Sequence, residues 1–224
     1  MFSQAAHQID VARLLAGGAA RTIRASAGAW DASRPTEGAY AALLQFDGGV
    51  FASLTYSGYA HFDSDELCGG VDEMGRPVDA SRYGHARRLL ANMDAEQQEA
   101  ELKSERGYGG RQQQNSPLRV GMTAAAPHHQ HFGFVIACCE RADLRPLPDR
   151  VMIYGDHEIQ SDPLPPPVIP RREVIDELYG AVVHGRAPMH SGEWARATTE
   201  ACLALLQSAN EGREIALKHQ IACA

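Results

Sequence analysis

The chain has 224 residues, 44% of them hydrophobic and 22% charged, with a formal net charge of −7. Such a length and mix suit one large globular domain or a domain carrying an insertion, and the acidic balance argues against non-specific nucleic-acid binding, which needs a basic face. No apolar run reaches the roughly 18 residues needed to span a bilayer, and five cysteines without a Cys-x-x-Cys pair point to reduced thiols in the cytoplasm rather than a disulfide framework.

Residues 3–15 carry Ala6, Ile9, Ala12 and Leu14–Leu15 at helical spacing, and Gly17-Gly18 follow as a stop. On this helix His7 and Asp10 are three apart and share a face. A site so close to the start, with no strand or turn before it, suggests that a preceding domain is missing. Residues 22–30 alternate as a strand. Two further strands, 39–46 and 50–56, flank Asp47-Gly48-Gly49, where glycine supplies the positive φ of a hairpin turn. On that hairpin Tyr40, Ala42 and Leu44 face one way, and Ala41, Leu43 and Gln45 the other.

Residues 65–118 are polar and charged and are expected to form a partly flexible insertion, with an exposed helix over 80–103 and a low-complexity run at 107–115. The apolar run 132–138 predicts a buried strand, and free Cys138-Cys139 are expected to pack in the core. Residues 150–154 predict another strand, and 163–170, rich in proline, an extended connector. Helices are predicted over 172–184, with Val174, Leu178 and Val182 on one stripe, and over 193–210, ended by Gly212; 215–217 adds an edge strand. The class is α+β: an open, mainly antiparallel sheet with helices on one face. Its other face, apolar enough to need cover, is expected to be an oligomer interface.

Three constellations carry chemistry. His7 with Asp10 offers a proton acceptor and a carboxylate to orient it. His128, His129 and His131 follow Pro127 without the converging spacing of a zinc site, so the expectation is a loop or pocket rim and no dedicated metal. Tyr59, His61 and Asp63 leave a strand end as possible substrate contacts. Arginines at 34, 82, 87, 88, 119 and 171 are each able to clamp a carboxylate. No Gly-x-Gly-x-x-Gly, Gly-Lys-Ser/Thr or Gly-x-Ser-x-Gly occurs, so no Rossmann dinucleotide cradle, phosphate loop or serine-hydrolase elbow is expected.

The opening Ser3-x-x-x-His7-x-x-Asp10 with Arg13-Leu14-Leu15, and the closing Gly192-Glu-Trp-Ala-Arg-Ala-Thr-Thr-Glu200 through Ser208-Ala-Asn-Glu-Gly-Arg-Glu214, resemble the C-terminal domain of the Gfo/Idh/MocA oxidoreductase family. Arg34-Pro-Thr-Glu-Gly-Ala-Tyr40, the run from Tyr56 to Asp65, and Cys139 to Pro146 are similar to its phthalate cis-dihydrodiol dehydrogenase branch. The resemblance implies a substrate-binding and oligomerisation domain. NAD or NADP and a catalytic lysine would belong to an N-terminal dinucleotide-binding domain not present in these residues. It implies His7 as catalytic base and Asp10 as the downstream acid; Ser3 stands where the family has a carboxylate. The implied substrate is a small cyclic diol or aromatic carboxylate, oxidised to a catechol, with Tyr59, His61 and Asp63 in the pocket. The chain alone is expected to be inactive. The competing readings are a non-catalytic binding or assembly module of the same fold and a metal-dependent hydrolase built on the histidine cluster.

Overall fold

A computed structural model describes residues 2–32, 37–91, 101, 104–105, 126–169 and 171–223. They divide into two compact units, one of residues 1–60 with 173–224 and the other of residues 61–172.

The first unit opens with α1 (Phe2–Ala16), followed by β1 (Ala20–Gly28), β2 (Ala39–Phe46) and β3 (Phe51–Ser57). The hairpin forms as expected: β2 and β3 pair from Ala39↔Ser57 to Gln45↔Phe51, and Gly48 and Gly49 turn at φ 74° and 82°. The chain returns after the second unit as α3 (Arg172–His184), α4 (Gly192–Glu211) and β8 (Ile215–Ala216). The sheet runs β3-β2-β1-β8, every pair antiparallel.

Alternation decides the faces. Ile23 and Ala25 of β1 and Tyr40, Ala42, Leu44 and Phe46 of β2 are buried against Ala5, Ile9 and Ala12 of α1 and Ala201, Cys202 and Leu205 of α4. The opposite face exposes Arg24, Ser26, Ala41, Leu43, Gln45, Ser53 and Thr55. Helix α4 is capped by Ser191, whose hydroxyl accepts from the Trp194 N–H, and ends at Gly212 in the left-handed conformation.

β8 pairs only with Thr22 and Ile23, so the edge of β1 runs on without a strand. Ser208 of α4 fills that gap: it is fully buried, its Oγ accepts from the Ala25 N–H at 2.9 Å, and it donates to the Arg213 carbonyl at 2.6 Å. Ser208→Ala strands the Ala25 N–H, and we expect a loss of about 1–3 kcal/mol, read as faster exchange of the Ala25 amide.

The second unit contains a short helix α2 (His85–Ala91) and a second four-stranded antiparallel sheet, ordered β4 (Ala137–Cys138), β5 (Ala142–Leu147), β6 (Arg150–Gly155) and β7 (Ile159–Pro163). Several expectations are corrected here. The class is α+β with open antiparallel sheets, as expected, but among the described residues the strands form two sheets rather than one. Residues 132–138 are not a buried strand: only Ala137–Cys138 pair, and Phe132, Phe134 and Ile136 are exposed. The break lies at Gly133, which takes φ 98° while its N–H donates to His131 Nδ1. Cys138 and Cys139 are exposed rather than core, because β4 is the sheet's edge. Much of the polar stretch 65–118, including 107–115, lies outside the described residues.

α3 also departs from expectation. It spans the predicted residues, yet Val174, Leu178 and Val182 are exposed instead of covering the sheet. Among the described residues no helix is long and apolar enough to cross a membrane.

Candidate functional site

α1 sets Ala5, Ile9 and Ala12 into the core, and His7 on the opposite, exposed side. The next residue, Gln8, fixes this end of the helix over the sheet. Its amide donates to the Thr55 carbonyl of β3 at 3.4 Å and accepts from the Tyr40 hydroxyl of β2 at 2.5 Å. Burial, with lesser contributions from Cys202 and Tyr56, pushes the Tyr40 phenol far above its ordinary value, so it acts as a neutral donor. Tyr40 stacks on Tyr56, its cross-strand partner, with ring centres 5.8 Å apart.

The same sheet end carries a second aromatic pair. Gly38 N–H donates to the Gly28 carbonyl, and Gly58 N–H to the Gly38 carbonyl, lacing the three strand ends together. Trp30 lies on Gly28 and Tyr59 on Gly38, each in space that a Cβ would occupy. Their ring centres are 5.2 Å apart, and the Tyr59 hydroxyl accepts from the Trp30 N–H at 3.2 Å. Glycine at 28 and 38 is therefore what lets both rings close over the backbone.

Asp10 faces α4. Its described hydrogen bonds run to α4: Oδ1 accepts from Trp194 Nε1 at 2.5 Å and from the Thr198 hydroxyl at 2.8 Å. Beside it Arg13 is only 1% exposed. Arg13 donates to Thr198 Oγ1 at 2.6 Å and the Trp194 carbonyl at 3.1 Å, and its guanidinium lies 3.8 Å from the Trp194 ring centre. Burial lowers the Arg13 pKa, and Asp10, 3.9 Å away, opposes that. The carboxylate thus anchors α1 to α4.

Its other oxygen faces His190 Nε2 at 3.7 Å, while His190 Nδ1 is 2.8 Å from Glu177 of α3. Hydrogen bonds from the His190 N–H and ring hold the Glu177 carboxyl below its usual range. Arg13, Trp194 and Thr198 enter the sequence reading only as parts of family-like blocks, with no site role, and His190 does not enter it. Trp194 reaches Asp10 across 184 residues, a separation at which no local pattern carries information.

Ser3 lies in the first turn of α1. Tyr59 belongs to the first unit, whereas His61 and Asp63 belong to the second. His61 is exposed. Asp63 caps a short 3-10 turn, accepting from the Asp65 N–H at 3.1 Å. The rings of His129 and His131 lie 2.9 and 2.8 Å from the carbonyls of Pro165 and Val71. The Gly133 N–H bonded to His131 Nδ1 leaves Nε2 as the donor to Val71. These rings tie loops together, and among the described residues no group of three His, Cys, Asp or Glu is placed to hold a metal ion. Arg34 and Arg119 lie outside the described residues.

Residues 1–69 match the family model of the GFO/IDH/MocA C-terminal domain. Over 207 residues, 92% of this chain and 51% of the relative, the sequence is 42% identical to the 1-carboxy-3-chloro-3,4-dihydroxycyclohexa-1,5-diene dehydrogenase of Comamonas testosteroni. A solved structure from Bordetella bronchiseptica RB50, assigned as a dehydrogenase, is 34% identical with a TM-score of 0.79, over 95% of this chain and 53% of that one. An Agrobacterium radiobacter oxidoreductase solved with NAD+, L-tartaric acid and magnesium shares the fold at 13% identity and a TM-score of 0.56, over 94% of this chain and 47% of that one. The chain spans about half the length of the relatives it matches.

Proposed function

Because this chain belongs to the Gfo/Idh/MocA oxidoreductase family, we propose that it is the substrate-binding half of an NAD- or NADP-dependent dehydrogenase. Its substrate is a carboxylated cyclohexadiene cis-diol of the phthalate dihydrodiol type, its product a catechol, and its place the cytoplasm. The observation that carries the reading is the placement of His7: exposed on α1, one residue from the Gln8 clasp that holds this helix end over Tyr40 and Thr55. The likeness to the Comamonas diene-diol dehydrogenase supports the substrate class.

The described strand pairs are all antiparallel. They form no βαβ turn to cradle a pyrophosphate, so these residues do not themselves fit a dinucleotide. The hydride acceptor would be a nicotinamide held by a separate nucleotide-binding domain. This chain handles the proton. His7 takes it from the hydroxyl of the carbon being oxidised; the hydroxy-dienone then tautomerises, its remaining sp3 ring carbon giving a proton to solvent while the new carbonyl oxygen takes one up, and aromaticity is restored. Asp10 supports His7 by keeping α1 seated on α4, and Ser3 occupies the turn before it. Tyr59, with its hydroxyl proton directed away from the Trp30 N–H, contacts the substrate, and an arginine pairs with the carboxylate. The outer sheet face, where Leu43 and Phe51 are exposed among Arg24, Ser26 and Thr55, forms the homo-oligomer contact.

The test joins this chain to the nucleotide-binding part of the Comamonas relative and follows NAD(P)H formation with a carboxylated cis-diol. We expect turnover by the joined protein and none by the 224 residues alone. A joined protein that binds the nicotinamide and leaves the diol unchanged would instead support a non-catalytic module.

A further inference from the structure

α3 turns its apolar side outward. Val174, Ile175, Leu178, Tyr179, Val182 and Val183 recur at the spacing of one helical stripe, and each is between 53% and 76% exposed. Away from the stripe, the helix bonds to the loop that follows it. Glu177 accepts from the His190 N–H and faces the His190 ring, both at 2.8 Å, and the buried Gly180 accepts through its carbonyl from the Arg186 N–H at 3.1 Å. The stripe lacks cover among the described residues.

We propose that this stripe is the docking surface for the nucleotide-binding α/β domain that completes the oxidoreductase; the inference rests on the function proposed above. Two arguments select this occupant. The relatives carry about as much polypeptide again as the part this chain matches, and a stripe of this kind needs a protein neighbour. Its size then speaks against a second copy. A helix of 13 residues is about 20 Å long and about 10 Å across, well short of the roughly 800 Å² per partner of a stable free-standing interface. A neighbour in the same polypeptide is held at roughly millimolar effective concentration, so a weak contact that fails between free copies still docks it, with the stripe as one part of the shared surface.

Hydrogen exchange of the α3 amides decides the matter, comparing the 224-residue chain with the same chain joined to the nucleotide-binding part of the Comamonas relative. We expect α3 exchange to slow by about 100-fold on joining, because docking raises the free energy of local opening. Leu178→Glu, and the milder Val182→Gln, should return it toward the unjoined rate while nicotinamide binding persists. Leu43→Glu, on the outer sheet face, should leave α3 protected. Equal exchange in the two proteins overturns the proposal, as does α3 protection in the unjoined chain that grows with its concentration, which marks a second copy. Protected α3 without diol turnover defeats the catalytic reading alone; turnover with unprotected α3 defeats the docking alone.

Discussion

Arg13→Ala is expected to destabilise the first unit by about 3 kcal/mol, in the range for large-to-small substitution in a core and for breaking a buried ion pair. The residue is 1% exposed, and its bonds run to the Trp194 carbonyl, the Thr198 hydroxyl and, at 3.5 Å, the Ile221 carbonyl. Removing it opens a cavity against the Trp194 ring and leaves Asp10 without its neighbouring cation. Arg13→Met should recover part of the loss by refilling the volume, as hydrophobic replacement of buried charge often does. Arg13→Lys should recover less, since an ammonium offers neither the planar stack nor the fork. Denaturant unfolding of the first unit, followed by Trp194 fluorescence, reads all three. An Arg13→Ala change within about 0.5 kcal/mol, the range of ordinary surface substitutions, would contradict the anchoring role.

His7→Ala should behave in the opposite way. The side chain is exposed, so stability should move by no more than about 0.5 kcal/mol. In the protein joined to a nucleotide-binding domain, kcat for diol oxidation should fall by about 10²–10⁴-fold, the usual contribution of a general base. KM should stay within a few-fold, because the lost interaction belongs to the transition state. Asp10→Asn gives the complementary pattern: it weakens acceptance from Trp194 and Thr198 and lowers stability as well as rate. The split between the two variants separates proton acceptance from the seating of α1.

Local patterns carried the parts of this fold that local physics decides. Asp47-Gly48-Gly49 supplies the positive φ values of the hairpin, and Gly212 ends α4 in the left-handed conformation. The stripe of α3 was legible, but not which side of the helix meets the chain. Pro146 hid β5, since proline argues against a strand; it is tolerated because β4 reaches only Asp143 and Leu144, leaving that end of β5 as an edge. The alternating Phe132, Phe134 and Ile136 suggested a strand that the positive φ of Gly133 prevents. Around the candidate site, the position of His7 on its helix followed from periodicity. The Gln8–Tyr40 clasp and the Asp10–Trp194 anchor join residues 32 and 184 positions apart. Only the folded chain reveals them.

Chemical rescue puts the proposed role of His7 to the sharpest trial. In the joined protein carrying His7→Ala, imidazole added to the solvent has open access to the vacated, exposed position on α1. If His7 is the proton acceptor, diol oxidation falls and then rises in proportion to imidazole concentration, while the wild-type rate does not respond. A His7→Ala protein that oxidises the diol at the wild-type rate without imidazole would contradict the account.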